Sequence, residues 1–200
     1  MTRWYQERKH EHFYKEAKRA GYRARSAYKL KQIQKKYSLL SPGDLVVDLG
    51  AAPGGWSQVA HEIVGEMGRV IGVDLSPIKP MEQATFFQGD ITKQETREAL
   101  LQLLENKKAD VVLSDMSPDI SGTYSVDQAR SIWLCEQALT IAETILRPGG
   151  HFLCKIFEGE DTQAFLNKVK SCFYIVKRFS PKASRKSSSE FYCIAKSLKK

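Results

Sequence analysis

The stretch Leu45-Val-Val-Asp-Leu-Gly-Ala-Ala-Pro-Gly-Gly-Trp56 decides the fold of this 200-residue chain. Its first five residues form a short apolar run rich in β-branched side chains, which predicts a buried strand. A turn rich in glycine and proline follows at once. We expect a helix after the turn, over about 56–64. Glycines at this position allow the backbone to approach a ligand closely.

Short β-rich runs and helical stretches alternate through the rest of the chain. Further strands are expected over 70–74, 85–88, 110–115, 151–157, 173–179 and 191–196, and helices over 93–106, 127–146 and 161–171. The sequence Arg147-Pro-Gly-Gly150 is expected to end the long helix before the next strand begins. This order predicts an α/β fold in which helices cover both faces of a mostly parallel sheet.

Composition restricts the class of protein. A hydrophobic content of 42% in 200 residues fits one compact domain. No apolar run is long enough to cross a bilayer, and the first residues do not resemble a signal peptide, so we expect a cytoplasmic monomer. The four cysteines contain no Cys-x-x-Cys pair and the histidines have no metal-ligand spacing, so free thiols and no metal site are expected.

The net charge of +8 is unevenly distributed along the chain. Residues 1–36 have a net charge of +9 and residues 177–200 a net charge of +7, whereas residues 37–176 have a net charge of −8. Aromatic side chains are interleaved with the basic ones near the start, which favours a nucleic-acid surface over a solubilising tail. We therefore predict a basic, helical RNA-binding extension over 1–36 and a catalytic core over 37–200.

Four aspartates fall at or just beyond predicted strand ends: Asp48, Asp74, Asp90 and Asp115. Because ligands of parallel sheets bind outside the carboxyl ends of the strands, these residues predict a polar ligand site. Asp74 ends the second strand, where a carboxylate can bind ribose hydroxyls, and Asp90 could lie near an adenine amino group. The site therefore suits a nucleoside-containing cofactor.

The turn after the first strand favours S-adenosylmethionine over NAD. The dinucleotide fingerprint G-x-G-x-x-G requires a second glycine where this chain has Ala52, and Pro53 follows. S-adenosylmethionine has no pyrophosphate for such glycines to hold. Its sulfonium and ammonium groups are positively charged, so acidic residues at the strand ends suit it better.

A set of short motifs in fixed order adds a family resemblance that covers nearly the whole chain. The motifs are Arg25-Ser-Ala-Tyr-Lys-Leu30, Asp48–Gln58, Val73-Asp-Leu75, Gln88-Gly-Asp-Ile-Thr92, Leu113-Ser-Asp-Met-Ser-Pro118, Arg147-Pro-Gly-Gly150, Lys155-Ile-Phe157, Pro181-Lys-Ala-Ser-Arg185 and Ser189-Glu-Phe-Tyr192. Together they resemble the FtsJ/RrmJ family of RNA ribose 2′-O-methyltransferases, and most of all its ribosomal large-subunit members.

The resemblance implies a Rossmann-like class I methyltransferase, with a seven-stranded sheet whose last strand is antiparallel. It implies S-adenosylmethionine as the cofactor and large-subunit rRNA as the partner, with a uridine ribose as the target. It also implies a catalytic group of Lys29, Asp115, Lys155 and Glu190. The cofactor contacts that it implies are Gly54, Trp56, Asp74, Asp90 and Asp115.

Each of these residues also has an ordinary structural interpretation. Lys155 is our candidate base, but a lysine at a strand end can simply extend its ammonium to solvent. Trp56 could line the cofactor site or lie in the core, as a lone tryptophan usually does. Glu190, the one acid in residues 177–200, could form a local salt bridge with Arg185 or Lys186. A tRNA methyltransferase, a methyltransferase of another substrate class and a non-catalytic RNA-binding module remain the alternative functions.

Overall fold

A computed structural model describes residues 15–82, 84–184 and 189–200 of the chain. The described residues do not include Arg3, Arg8 and Lys9 of the predicted RNA-binding extension, or Arg185 and Lys186 of the basic segment 177–200. A helical segment at 15–19 leads through turns into helix α1 (Ala27–Tyr37). No helix among the described residues is both long and apolar enough to cross a membrane.

The predicted alternation of strands and helices is confirmed. In chain order after α1 the elements are β1 (Leu45–Leu49), α2 (Gly55–Val64), β2 (Arg69–Asp74), β3 (Thr85–Gln88), α3 (Gln94–Leu103), β4 (Ala109–Ser114), α4 (Tyr124–Ile145), β5 (Leu146–Phe157), α5 (Thr162–Cys172), β6 (Phe173–Phe179) and β7 (Glu190–Leu198).

The largest difference from the predicted boundaries is at the start of β5. Strand β5 begins at Leu146, directly after α4, and not at His151. Leu146 pairs with Ala109 and His151 pairs with Val111, so β5 advances five residues while β4 advances two. The segment 147–150 therefore bulges out of the ladder instead of forming a separate turn, as bulged strands commonly do.

The seven strands form one sheet in the order β3-β2-β1-β4-β5-β7-β6. The pairs among β1 to β5 are parallel, whereas β7 runs antiparallel to both of its neighbours. The order reverses between β1 and β4, so the loops that follow these two strands separate there. Doubly wound sheets bind ligands at this kind of switch point.

Successive side chains of each strand point to opposite faces and form two cores. Val47 of β1 belongs to the core that includes residues of α3, α4 and α5, whereas Val46 belongs to the core that includes residues of α1 and α2. Helix α1 contributes Leu30 and Ile33, both fully buried, to the second core. The segment predicted as an RNA-binding extension is thus partly a structural layer of the domain, since α1 covers the sheet.

Candidate active site

A cavity of about 290 Å³ opens at the carboxyl ends of β1 to β4. Its walls come from the loops after these strands and from one residue of α4, namely Gly50, Ala52, Val73, Asp74, Leu75, Gly89, Asp90, Ile91, Thr92, Asp115, Met116, Ser117 and Leu134. The cavity lies at the switch point of the sheet and has the size of a small-molecule site. Three of the four predicted aspartates line it.

Asp74 joins two of the cavity's loops. Its Oδ2 accepts the backbone N–H of Ala52 at 3.0 Å, and its Oδ1 accepts the backbone N–H of Ser76 at 2.7 Å. Each carboxylate oxygen has a second lone pair, so both can still accept a hydrogen bond from a ligand hydroxyl. The arrangement fits the predicted role of Asp74 toward ribose hydroxyls.

Asp90 is held as an anion beside the same cavity. Its Oδ1 accepts both the backbone N–H of Thr92, at 2.9 Å, and the Thr92 hydroxyl, at 2.8 Å. These hydrogen bonds, first from the backbone and then from the side chain, lower the pKa of Asp90. An ionised carboxylate at the cavity wall accepts hydrogen bonds from a ligand amino group, as the sequence prediction requires.

Asp48, the fourth aspartate, points away from the cavity. It shares a strand face with Val46, so its side chain enters the core beneath α2 and is fully buried. Its Oδ2 accepts the Ser57 hydroxyl at 2.7 Å. Burial, despite that hydrogen bond, raises the pKa of Asp48 to about 7, with smaller contributions from the charges of Asp115 and Asp74.

Gly54 and Trp56 do not line the cavity. Trp56 is 3% exposed, and its Nε1–H donates to the carbonyl oxygen of Ser26 at 2.9 Å. The indole ring packs against the Tyr192 ring, with 5.6 Å between the centroids. The core interpretation of Trp56 therefore describes its side chain in this structure. The predicted contact of Gly54 and Trp56 with the cofactor stays a prediction.

The four predicted catalytic residues come together beside the cavity, although they are far apart in sequence. Lys155 of β5 donates from Nζ to the carbonyl oxygen of Asp115 at 2.6 Å, and the same Nζ lies 3.2 Å from Asp115 Oδ1. Asp115 directly follows β4, the neighbouring strand, and it lines the cavity. A lysine that is 8% exposed is thereby held against a residue that lines the predicted cofactor site.

Lys29 and Glu190 form a second ion pair in the group. Lys29 Nζ lies 2.6 Å from Glu190 Oε1, and both side chains are only about a tenth exposed, at 11% and 12%. Burial alone would raise the pKa of Glu190, but the charge and hydrogen bond of Lys29 outweigh it, and the pKa of Glu190 is lowered. Among the described residues the ion-pair partner of Glu190 is therefore Lys29. The local salt bridge to Arg185 or Lys186, which was the ordinary interpretation of Glu190, concerns residues outside the described ones.

Tyr192 connects the two pairs, and sequence reasoning assigned it no role. Its hydroxyl donates to Asp115 Oδ1 at 2.6 Å, and its ring centroid lies 5.6 Å from Lys29 Nζ. It pairs with Lys155 across β5 and β7, so the two side chains share a face of the sheet. Burial, followed by the charges of Asp115 and Glu190, raises the pKa of Tyr192 well above its ordinary value. The sequence did contain a signal for this shared face: Tyr192 lies two residues after Glu190 on a predicted strand, and alternate residues of a strand point to the same side.

No cluster of metal-ligating side chains exists within residues 15–82, 84–184 and 189–200. The catalytic group and Tyr192 together offer two lysines, two carboxylates and a tyrosine hydroxyl next to a ligand cavity. Such a set can bind a hydroxyl, orient it and accept its proton. It is suited to an attack by a hydroxyl oxygen on a group bound in the cavity.

Comparison with known proteins identifies the family. The model of the FtsJ-like methyltransferase family matches residues 22–198. A protein of Methanothrix thermoacetophila named ribosomal RNA large subunit methyltransferase E is 53% identical over 188 residues, which cover 94% of this chain and 72% of the relative. A protein of the same name from Methanobrevibacter smithii is 47% identical over 200 residues, with coverages of 99% and 95%.

A solved structure agrees with these sequence matches. The crystal structure of a protein described as a ribosomal RNA methyltransferase, from Plasmodium falciparum, superposes with a TM-score of 0.81 at 29% identity. The superposition covers 88% of this chain and 98% of that one. The fold and the resemblance predicted from the sequence motifs are both confirmed. This chain belongs to the FtsJ-like methyltransferase family and is an enzyme of that class.

Proposed function

We propose that this methyltransferase transfers the methyl group of S-adenosylmethionine to a ribose 2′-hydroxyl, of a uridine, in large-subunit ribosomal RNA. The observation that carries the proposal is the contact of Lys155 with Asp115, a residue that lines the cavity. The relatives at 47% to 53% identity, which are named for large-subunit ribosomal RNA, support the choice of substrate.

The cavity suits the proposed cofactor. Asp74 and Asp90 offer carboxylate oxygens to the ribose hydroxyls and the adenine amino group, and Asp115 offers negative charge toward a cationic centre. Bound there, S-adenosylmethionine would supply a methyl group on a positively charged sulfur, which a hydroxyl oxygen can attack. Gly50 allows Met116, another residue of the cavity wall, to lie close to the turn after β1, because a Cβ at residue 50 would lie 2.5 Å from Met116 Cγ.

The catalytic group supplies the remaining chemistry. As a neutral amine, Lys155 accepts the proton of the 2′-hydroxyl and becomes an ammonium, which Asp115 stabilises. Tyr192 fixes the position of Asp115 by donating its hydroxyl hydrogen bond to Asp115 Oδ1. Lys29 meets the hydroxyl or the adjacent phosphate, while Glu190 orients Lys29. A positioned base typically contributes about 10²–10⁴-fold in rate, and orientation of the hydroxyl contributes further.

The basic surface around the site would bind the RNA backbone. Lys18, Arg19 and Arg25 lie in the described part of the basic extension. Lys182 lies beside α1, since its backbone N–H donates to Gln32 Oε1 at 2.7 Å. Binding through such residues releases counterions, so log affinity should fall steeply and linearly with log salt concentration. A flat dependence on salt would contradict this surface.

We further propose that the chain is a single-domain monomer that works in the cytoplasm. Its four cysteines are free thiols, three of them buried, as is usual in a reducing compartment. Elution as one copy from a sizing column, at enzyme concentrations used for assay, would support the monomer. A larger species that persists on dilution would refute it.

Methyl transfer to defined RNAs tests the substrate. The protein is incubated with radiolabelled S-adenosylmethionine and large ribosomal subunits from a strain that lacks this methyltransferase, beside naked rRNA and bulk tRNA. Label in alkali-resistant dinucleotides of large-subunit rRNA establishes ribose methylation. Label only in tRNA refutes the proposed target, and absence of cofactor binding refutes the proposed chemistry.

Lys155 variants test the proposed base. Lys155→Ala should lower the transfer rate by at least about 10²-fold while leaving cofactor affinity nearly unchanged, because the base acts only on the hydroxyl. A Lys155→Ala enzyme with the parent's rate and pH profile would remove Lys155 from this role.

A further inference from the structure

Arg23 joins the two loops that border the predicted cofactor cavity. We call residues 50–54 the β1 loop and residues 75–82 the β2 loop. The Arg23 guanidinium donates to the carbonyl oxygens of Lys79 at 2.5 Å and Pro80 at 2.7 Å, both in the β2 loop. It also donates to the carbonyl oxygen of Pro53 in the β1 loop, at 3.4 Å. One side chain thus bridges both loops from outside the cavity.

Asp74 bridges the same two loops from inside the cavity. Its carboxylate accepts the backbone N–H of Ala52 in the β1 loop and that of Ser76 in the β2 loop. On the inner side, the Asp74 carboxylate therefore accepts hydrogen bonds from backbone N–H groups of the two loops. On the outer side, the Arg23 guanidinium donates to their backbone carbonyl oxygens. The residue predicted to bind the ribose depends for its position on loops that Arg23 also holds.

The backbone near Arg23 is anchored independently of its guanidinium. The Arg23 backbone N–H donates to Gln58 Oε1 at 2.8 Å, and Gln58 Nε2 donates to the carbonyl oxygen of Gly21 at 3.1 Å. Gln58 belongs to α2, which packs on the sheet. The guanidinium is therefore presented to the loops from a fixed base, so its hydrogen bonds restrain the loops and not merely the segment before α1.

Gly54 provides the room that Arg23 occupies. A Cβ at Gly54 would lie 3.0 Å from Arg23 Nη1 and 3.1 Å from Arg23 Cδ, and the φ of Gly54 is +105°. A glycine here therefore serves both an unusual backbone conformation and the close passage of the guanidinium. Gly54 therefore affects the cofactor site indirectly, by leaving room for the Arg23 side chain.

We propose that Arg23 is a positioning residue for the methyl donor, which holds the β1 loop and the β2 loop in the arrangement that places Asp74. The inference rests on the proposed cofactor. This role distinguishes Arg23 from the neighbouring basic residues. Its guanidinium donates to three carbonyl oxygens of the protein, so its main contribution is to cofactor affinity and not to RNA affinity.

The test measures the dissociation constant of S-adenosylmethionine by calorimetry for the parent, Arg23→Gln and Arg23→Lys, with thermal unfolding of each. If the loops populate the binding arrangement about a tenth of the time without the guanidinium, Arg23→Gln should bind about tenfold more weakly. Lysine keeps the charge but reaches fewer carbonyl oxygens, so the cofactor affinity of Arg23→Lys should fall between those of the parent and Arg23→Gln. With saturating cofactor, kcat should stay close to the parent value while the KM for the cofactor rises.

Arg69→Gln is the matched control, because Arg69 pairs with Glu105 at the opposite end of β2, away from the cavity. It should bind S-adenosylmethionine like the parent. Unchanged affinity in a folded Arg23→Gln protein overturns the inference; if that variant does not fold, unchanged affinity in folded Arg23→Lys overturns it equally. Failure of the parent itself to bind would instead refute the proposed cofactor.

Discussion

Replacing Asp48 by asparagine should stabilise the protein at alkaline pH and lose most of that benefit at acid pH. The Asp48 carboxyl is fully buried, and its pKa is raised from 3.8 to about 7 in the folded chain. Above pH 3.8 the unfolded chain releases this proton while the folded chain keeps it. The contribution of Asp48 to stability therefore falls as the pH rises from about 4 and becomes constant above about 7.

The shift sets the size of the effect. Each pKa unit is worth about 1.4 kcal/mol, so ionising Asp48 costs the folded state about 4 kcal/mol at pH 8.5 and under 2 kcal/mol at pH 5. Asparagine removes this pH-dependent cost of about 3 kcal/mol. It can still accept the Ser57 hydroxyl, and any cost of burying its amide NH₂ is the same at both pH values.

Urea unfolding of the parent and Asp48→Asn at pH 5 and pH 8.5, without cofactor, measures this difference. The gain from Asp48→Asn should be about 3 kcal/mol larger at pH 8.5, or about 6–12 °C in Tm for a domain of this size. Asp119→Asn, at an exposed loop position, controls for the general loss of a negative charge and should show little such difference. Equal effects of Asp48→Asn at the two pH values would refute the buried, proton-retaining carboxyl.

Further variants test the catalytic group and the core. Lys29→Ala and Glu190→Gln should each lower kcat, and the double variant should lie close to the worse single one, because one ion pair is lost in each case; additive effects would separate their roles. Lys29 lowers the pKa of Glu190, so the Glu190 carboxylate stabilises the folded protein at pH values above its ordinary pKa. This stabilisation is lost as the pH falls through the lowered pKa. The stability advantage of the parent over Glu190→Gln should therefore shrink in acid. Trp56→Phe should lose about 1 kcal/mol of stability with the hydrogen bond to Ser26, measured by unfolding, and should keep its cofactor affinity; a large loss of affinity would return the indole to the cofactor site.

The sequence predicted the elements well because periodicity and turn residues act locally. Strands β1 and β3 have the predicted bounds, and the helix after β1 begins one residue earlier than expected. The start of β5 was missed because proline and two glycines indicate a turn, whereas the pairing of Leu146 with Ala109 depends on a strand 37 residues away. Such a bulge is decided by the neighbouring strand and leaves no local signal.

The site shows the same division between local and tertiary information. Motifs located Asp74, Asp90 and Asp115, because strand ends in a parallel sheet share an edge. Asp48 was included by the same rule although it faces the core, since a strand end alone does not tell which face a side chain enters. The role of Arg23 had no sequence signal beyond its positive charge, which predicted RNA binding; its acceptors are backbone carbonyls, which every residue has.

The strand order at one edge of the sheet determines how local opening would affect activity. Among the described strands β6 hydrogen-bonds only to β7, and β7 lies between it and β5. Any fluctuation that separates β7 from β5 therefore removes Glu190 and Tyr192 from Lys155 in one event and carries β6 along. Hydrogen exchange should then report β6 and β7 as one cooperative unit, and the fraction of molecules with this unit open would equal the fraction that cannot methylate.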